Sequence, residues 1–207
     1  MKSSTHLWLI RHAEVEQSYQ KVFGGRIDMN ISERGHEQSA ALAQWLERQP
    51  IEFIYASPMK RVQQTLAPTL LRHAHSPVIL PDLREVDFGD WTGHSWDSIQ
   101  EKFGVSAFTW LDQLETGTIQ NAETAAGYRG RVEPCVRQIL EEQTGRNVAV
   151  FCHGGVIRMI LSILLDLPLR KMGSFEIDYA SVTKVSLFPH KIEAQFLNFA
   201  PWREVLP

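Results

Sequence analysis

The chain has 207 residues, 43% of them hydrophobic and 22% charged, with a formal net charge of −3. That length fits one domain able to bury roughly 70% of the surface its unfolded form would expose. So mild an acidic balance differs from the basic excess of a general nucleic-acid binder, yet a few local arginines can still make a positive pocket for a small anion. The two cysteines, Cys135 and Cys152, form neither a disulfide framework nor a zinc-ligand spacing and read as small buried hydrophobes. The first ten residues lack the apolar region of a secretory signal, and no run approaches the ~18 apolar residues of a membrane span. The expectation is a cytoplasmic protein without membrane or nucleic-acid partners.

Leu7-Trp8-Leu9-Ile10 reads as a buried strand that ends in Arg11-His12 with no spacer. Alone, such a pair reads as a solvated strand end. A long loop follows from about Val15 to Ile31, containing Gly24-Gly25-Arg26 and Asp28; structured loops of this length are often functional. Ser32 suits the cap of a helix to about Gln49, with Leu42, Trp45, Leu46 and Gln49 on one face. Glu52 to Ala56 is a second strand. Ser57-Pro58 predicts a helix start, with Ser as N-cap and Pro as first residue. That helix carries Arg61, Val62, Thr65 and Leu66, and Pro68 is expected to kink it or end its first segment. Val78-Ile79-Leu80 is a short third strand.

From Leu83 to about Gln120 the composition turns aromatic: Trp91, Trp96 and Trp110 are joined by Phe88, Phe103 and Phe108. Core packing is the ordinary reading of such residues, and lining a substrate pocket the less common one. Trp96, Ile99 and Phe103 share helical spacing. Glu123 to about Gln143 predicts a long helix. Asn147 to Cys152 is a near-continuous apolar strand of the kind found inside a parallel sheet. It ends at His153-Gly154-Gly155 and passes into an apolar helix, Val156 to Leu165. The segments Ser181–Phe188 and Ile192–Phe199 predict a hairpin, hence at least one antiparallel strand in an otherwise parallel α/β sheet.

In open α/β sheets ligands bind beyond the carboxyl ends of the strands. Those ends supply Arg11 and His12, then Ser57 and Arg61, then His153 with two glycines that let backbone approach a ligand at a helix N-terminus. Together they form a candidate anion site. Guanidinium groups match phosphate oxygens, and neutral imidazole is a competent nucleophile near pH 7. Chemistry on a phosphomonoester also needs an acid for the leaving alkoxide. The stretch Leu83 to Trp91 offers Glu85, Asp87 and Asp90, and spacing alone does not choose among them.

With these motifs in order, the sequence resembles the histidine phosphatase superfamily, on the branch related to cofactor-dependent phosphoglycerate mutase. The residues that carry the resemblance are Arg11-His12-Ala13-Glu14, Gly25 to Asp28, Ile31 to Gln38, Ala56-Ser57-Pro58 to Thr65, Leu83-Arg84-Glu85 to Gly93, and Cys152-His153-Gly154-Gly155. The resemblance implies a three-layer α/β/α fold with a mostly parallel central sheet and one antiparallel strand. It implies a single domain over residues 1–207 with a small aromatic-rich, cap-like insertion around 86–125. By position, His12 resembles the phosphorylated histidine and Glu85 the proton donor. Arg11, Arg61 and His153 resemble the groups that hold the phosphoryl oxygens, and Ser18, Gly25 and Gly154 fall at substrate-binding positions. No metal and no cofactor are implied. The chain departs from the pattern at Ala13 (usually glycine), at Ser18 (commonly a phosphate-binding asparagine) and at Asn121-Ala122, where two glycines are common.

The function so implied is a phosphomonoesterase acting through phosphohistidine on a small phosphorylated metabolite: α-ribazole 5′-phosphate, a sugar phosphate or a phosphoglycerate. The length and the Phe175–Val182 segment are most like members that cleave α-ribazole phosphate and their broad-specificity relatives. One alternative is a phosphoglycerate mutase, which would need a bisphosphate cofactor and is usually longer. Another is a non-catalytic phospho-ligand or protein-interaction module, which would need no proton donor. A monomer or a homodimer is expected.

Overall fold

The computed structural model describes residues 4–72 and 76–205. Six strands form one sheet: β1 (Thr5–Arg11), β2 (Phe53–Ala56), β3 (Val78–Ile79), β4 (Asn147–Cys152), β5 (Val182–Phe188) and β6 (Lys191–Phe199), in the order β3-β2-β4-β1-β5-β6. The pairs β3/β2, β2/β4 and β4/β1 are parallel, while β5 runs antiparallel to both β1 and β6. The expected mixed sheet with a single reversed strand is what forms.

Alternation along the strands divides the core into two layers. Leu7 and Leu9 of β1 share a cluster with Tyr55, Val148 and Val150, covered by α5 (Ala125–Glu142) and α6 (Gly154–Leu165). Trp8 and Ile10 face the other way with Ile54, Ala149 and Phe151, covered by α1 (Glu33–Leu46) and α2 (Lys60–Leu70). Between β3 and α5 lie α3 (Trp96–Phe103) and α4 (Trp110–Thr116). Their Ile99, Leu111 and Leu114 belong to the same cluster as Leu7 and Leu9, so this aromatic segment packs directly on the sheet's own core. Among the described residues no helix is long and apolar enough to cross a membrane.

Ser32 caps α1 as expected, its Oγ accepting from the Gly35 N–H at 3.0 Å. The start of α2 differs from expectation. Its N-cap is Met59, and neither Ser57 nor Pro58 lies in the helix. Ser57 Oγ lies 2.9 Å from His153 Nε2 and accepts from the Met59 N–H at 3.4 Å, in a turn that precedes the helix. Pro68 does not end α2, which continues to Leu70.

Strand register sets the position of everything that follows. Arg11 pairs with Cys152, and Ala56 with Phe151, so β1, β2 and β4 finish side by side. The residues next in sequence, His12, Ser57 and His153, therefore emerge at one sheet edge.

Candidate active site

The Arg11-His12 backbone is pinned on both flanks. The His12 N–H donates to the Cys152 carbonyl at 3.0 Å, and the Ala180 N–H donates to the His12 carbonyl at 3.1 Å. The His12 ring is buried, and its Nδ1 lies 2.8 Å from the Ala13 carbonyl. A carbonyl only accepts, so Nδ1 carries the proton and Nε2 keeps its lone pair. Arg61 Nε donates toward that Nε2 at 3.3 Å, and the His153 ring centroid lies 5.3 Å from that of His12.

Arg61 is 2% exposed, and the long Val15–Ile31 loop fixes it: Nη1 donates to the Ile27 carbonyl at 2.7 Å and Nη2 to that of Gly25 at 2.9 Å. Gly25 sits at φ +46°, a backbone shape that side chains rarely adopt, and this shape turns its carbonyl onto Arg61. Arg11 donates from Nη1 to the Ile177 carbonyl at 2.6 Å and stacks over the Tyr179 ring at 4.1 Å. The Ile177–Tyr179 segment is itself braced from the chain's last turn. Trp202 Nε1 donates to the Tyr179 carbonyl at 2.8 Å, and the Asp178 carboxylate accepts from Asn198 and Arg203.

Burial and two neighbouring guanidiniums set the charge state. His12 is pushed well below the ordinary histidine value, first by desolvation and then by Arg61 and Arg11. His153 is pushed the same way by burial, then by Arg61 and by His12. Both imidazoles are neutral at physiological pH. Arg61 is lowered to about 10 by burial and stays charged there. His153 Nδ1 and Arg11 Nε are buried without a partner among the described residues.

Of the three acidic candidates, Glu85 is the one that lines the cleft beside His12. Asp87 faces Arg26, and Asp90 accepts from Asn121 at 2.8 Å. The Glu85 carboxylate accepts from the Val86 N–H at 3.0 Å and from the Gly155 N–H at 3.2 Å. Gly155 makes this approach possible, since a Cβ there would overlap Glu85 Oε1 and lie 3.1 Å from the buried Tyr128 hydroxyl. Behind Glu85, Arg131 donates to the carbonyls of Asp82, Arg84 and Glu85 at 2.5, 2.7 and 3.1 Å. Its guanidinium is also paired with the Glu123 carboxylate at 2.6 Å, both side chains largely buried. Arg131 thus fixes the backbone that carries the acid.

These side chains open into a cavity of about 300 Å³ lined by Arg11, His12, Arg61, Glu85, Gly25 and Gly154, with Arg158 and several aromatic rings. Ser18 is not brought to it. The Gln17–Tyr19 turn leaves Ser18 exposed and places Tyr19 in the lining instead. His153 lies behind the lining, fully buried. The altered loop at Asn121 keeps the shape that glycine would favour. Asn121 sits at φ +58°, which asparagine tolerates better than most residues, and its amide is tied to Asp90. Sequence reasoning placed Ser57 at a strand end without giving it a role, and did not single out Arg131 or Arg158. A serine directly after a strand, within the motif that supplies Arg61, was the one available signal. Among the described residues no three His, Cys, Asp or Glu side chains cluster as a metal ion would need.

Comparison with known proteins agrees with this geometry. The family model of the histidine phosphatase superfamily (branch 1) matches residues 7–200. The chain is 31% identical to phosphoserine phosphatase 1 of Hydrogenobacter thermophilus, over 87% of this chain and 86% of that one. It is 28% identical to the adenosylcobalamin/alpha-ribazole phosphatase of Escherichia coli, over 83% and 85%. A mycobacterial glucosyl-3-phosphoglycerate phosphatase superposes with a TM-score of 0.81 at 22% identity, covering 95% of this chain and 99% of the other, and so shares the fold. A phosphatase family model over nearly the whole chain, on a site that gathers both motif histidines, two arginines and a carboxylate, places this protein in branch 1 of the histidine phosphatase superfamily.

Proposed function

We propose that the protein is a phosphomonoesterase that works through a phosphohistidine at His12 on a small phosphorylated metabolite. The observation that carries this reading is the His12 tautomer. With Nδ1 bonded to the Ala13 carbonyl, the lone pair of Nε2 faces the Arg61 guanidinium in a cleft that Arg11 also lines. In the first step Nε2 attacks phosphorus, the bond from phosphorus to the ester oxygen breaks, and Glu85 gives its proton to the leaving alkoxide. In the second step the Glu85 carboxylate takes a proton from water as that water attacks phosphorus. The N–P bond breaks, phosphate leaves, and His12 is neutral again. Arg11, Arg61 and His153 hold the nonbridging oxygens as charge builds, with donors fixed before reaction. Ser57 Oγ lies 2.9 Å from His153 Nε2, and in this scheme the hydroxyl is the donor, which keeps the His153 proton on Nδ1. The relatives' phosphatase names support a phosphorylated metabolite as substrate class. No metal enters the scheme, so hydrolysis should persist in EDTA.

The test is rapid quench of the wild type with a labelled phosphomonoester, alongside steady-state assays of His12→Ala. Acid-labile phosphoprotein in the wild type and a loss of at least ~10³-fold in kcat for the variant are expected. Undiminished turnover by His12→Ala would overturn the assignment. A mutase assay with 3-phosphoglycerate, run in parallel, should show no phosphoryl transfer between its hydroxyls.

A further inference from the structure

The phosphoryl end of the cleft says nothing about what the phosphate is attached to, but the opposite wall does. There Phe23, Phe88, Trp96 and Trp110 line the same cavity as His12 and Glu85. The rings form one connected surface. Phe23 and Trp96 lie nearly parallel, 5.8 Å between centroids at 18°. Phe88 stands edge-on to Phe23 at 4.8 Å and to Trp110 at 5.3 Å. Phe23 and Phe88 are buried, whereas Trp96 and Trp110 keep part of their rings uncovered. Packing holds the wall in place, so it is preformed for a flat apolar group.

The charges around this wall argue against small zwitterionic or carboxylated leaving groups. Arg158 is the one lining cation not assigned to the phosphoryl group. Each of its three nitrogens donates, to the carbonyls of Met172, Gly154 and Phe175 at 3.3, 3.3 and 2.9 Å, which leaves two N–H groups and holds the guanidinium in one place. Glu176 also lines the cavity and would repel a substrate carboxylate, whereas Asp178 is already paired with Arg203. A leaving group with a carboxylate would give up its hydration and meet an acid and rings in return.

Resting on the phosphomonoesterase reading, we infer that the preferred substrates are phosphate esters of an alcohol that carries a flat aromatic ring close to the phosphate. Such a ring lies against the Trp96/Trp110 wall while the phosphate reaches Arg11 and Arg61. Phosphoserine-like and phosphoglycerate-like esters are poor substrates by the same reasoning, although a relative at 31% identity is named for phosphoserine.

The test uses primary-alkyl phosphates of similar leaving-group basicity: 2-phenylethyl, 2-naphthylethyl, 2-cyclohexylethyl and butyl phosphate, together with O-phosphoserine and phosphocholine. The expected result is a kcat/KM for the two aryl esters at least ~10-fold above the other four, from stacking and apolar burial together. Trp96→Ala and Trp110→Leu, made singly, should each reduce that preference. Equal rates for 2-phenylethyl and 2-cyclohexylethyl phosphate would overturn the aromatic assignment. So would a preference for phosphoserine, or for phosphocholine, whose cation those rings could also hold. If no ester is turned over, the phosphomonoesterase reading fails. The wall is then judged by calorimetry with 2-phenylethylphosphonate against 2-carboxyethylphosphonate, where equal or weaker binding of the aryl compound overturns it.

Discussion

At one end of the cleft the reacting groups stand on strand ends, and at the other the substrate wall stands on short helices and turns. His12, Ser57 and His153 each follow directly on a strand of the sheet, and Arg61 lies one turn into the helix after β2. Their side chains are held by hydrogen bonds to backbone or to one another. Phe88, Trp96 and Trp110 come from the stretch between β3 and α5 and are held by ring packing. Hydrogen bonds to a sheet edge fix atoms in direction as well as place, which phosphoryl chemistry needs. Packed rings tolerate substitution and repacking, which suits a surface that selects among substrates. On the proposed reading, the chemistry belongs to the sheet edge and the choice of leaving group to the segment between β3 and α5.

Glu85 connects the two ends and gives the largest expected effect. Glu85→Gln should slow alkyl phosphates by ~10²–10⁴-fold and p-nitrophenyl phosphate much less, because a good leaving group needs no proton. Similar losses on both would move the acid elsewhere. The next effect is one of stability. Arg131→Met leaves the Glu123 carboxylate buried without its partner, which should cost about 3–5 kcal/mol in urea unfolding. A loss below about 1 kcal/mol would show that the clamp behind Glu85 is dispensable.

Smaller effects separate direction from packing. Ser57→Ala removes the donor to His153 Nε2 and should lower kcat by about tenfold, the scale of one hydrogen bond. The 15N resonances of the His153 ring should then show proton exchange between its nitrogens, and an unchanged tautomer would break the comparison. The smallest concerns pH. His12 and His153 are depressed in the folded protein, so the unfolded chain binds protons first as pH falls below about 6.5. Stability from these two groups is present above that value and declines below it, with each histidine contributing up to about 1.4 kcal/mol per pH unit. Unfolding at pH 7, 6 and 5 should give a shallower decline for His153→Gln and the wild-type decline for Trp110→Leu. Equal slopes in wild type and His153→Gln would refute the assignment.

Much of the sheet was legible in the sequence because apolar runs bounded by turns and motifs have few other readings. Asn147–Cys152 and the tail hairpin are cases, and Trp96–Phe103 shows the same for helical spacing. The strand-end rule placed Arg11, His12, Arg61 and His153 together before any coordinates. Groups whose role is set only by tertiary contact were not legible. Arg131 sits on α5 near Arg129 and Glu133, which form an ordinary surface ion pair, and nothing local distinguishes it from them. Ser57-Pro58 reads locally as a helix start, but the helix begins two residues later and Ser57 meets His153 from a distant strand. At Ser18 a short turn decides which of two adjacent side chains enters the cleft, and a one-residue rotation is below the resolution of pattern reading.

The bracing of the Ile177–Tyr179 segment has an engineering consequence. The last turn of the chain, through Trp202 and Arg203, supports the carbonyl and the ring that hold Arg11. An arginine read from the first motif therefore depends on residues nearly two hundred positions later. Deletions or rigid fusions beginning at Ala200 should weaken phosphate affinity while leaving the sheet and its spectroscopic signature intact.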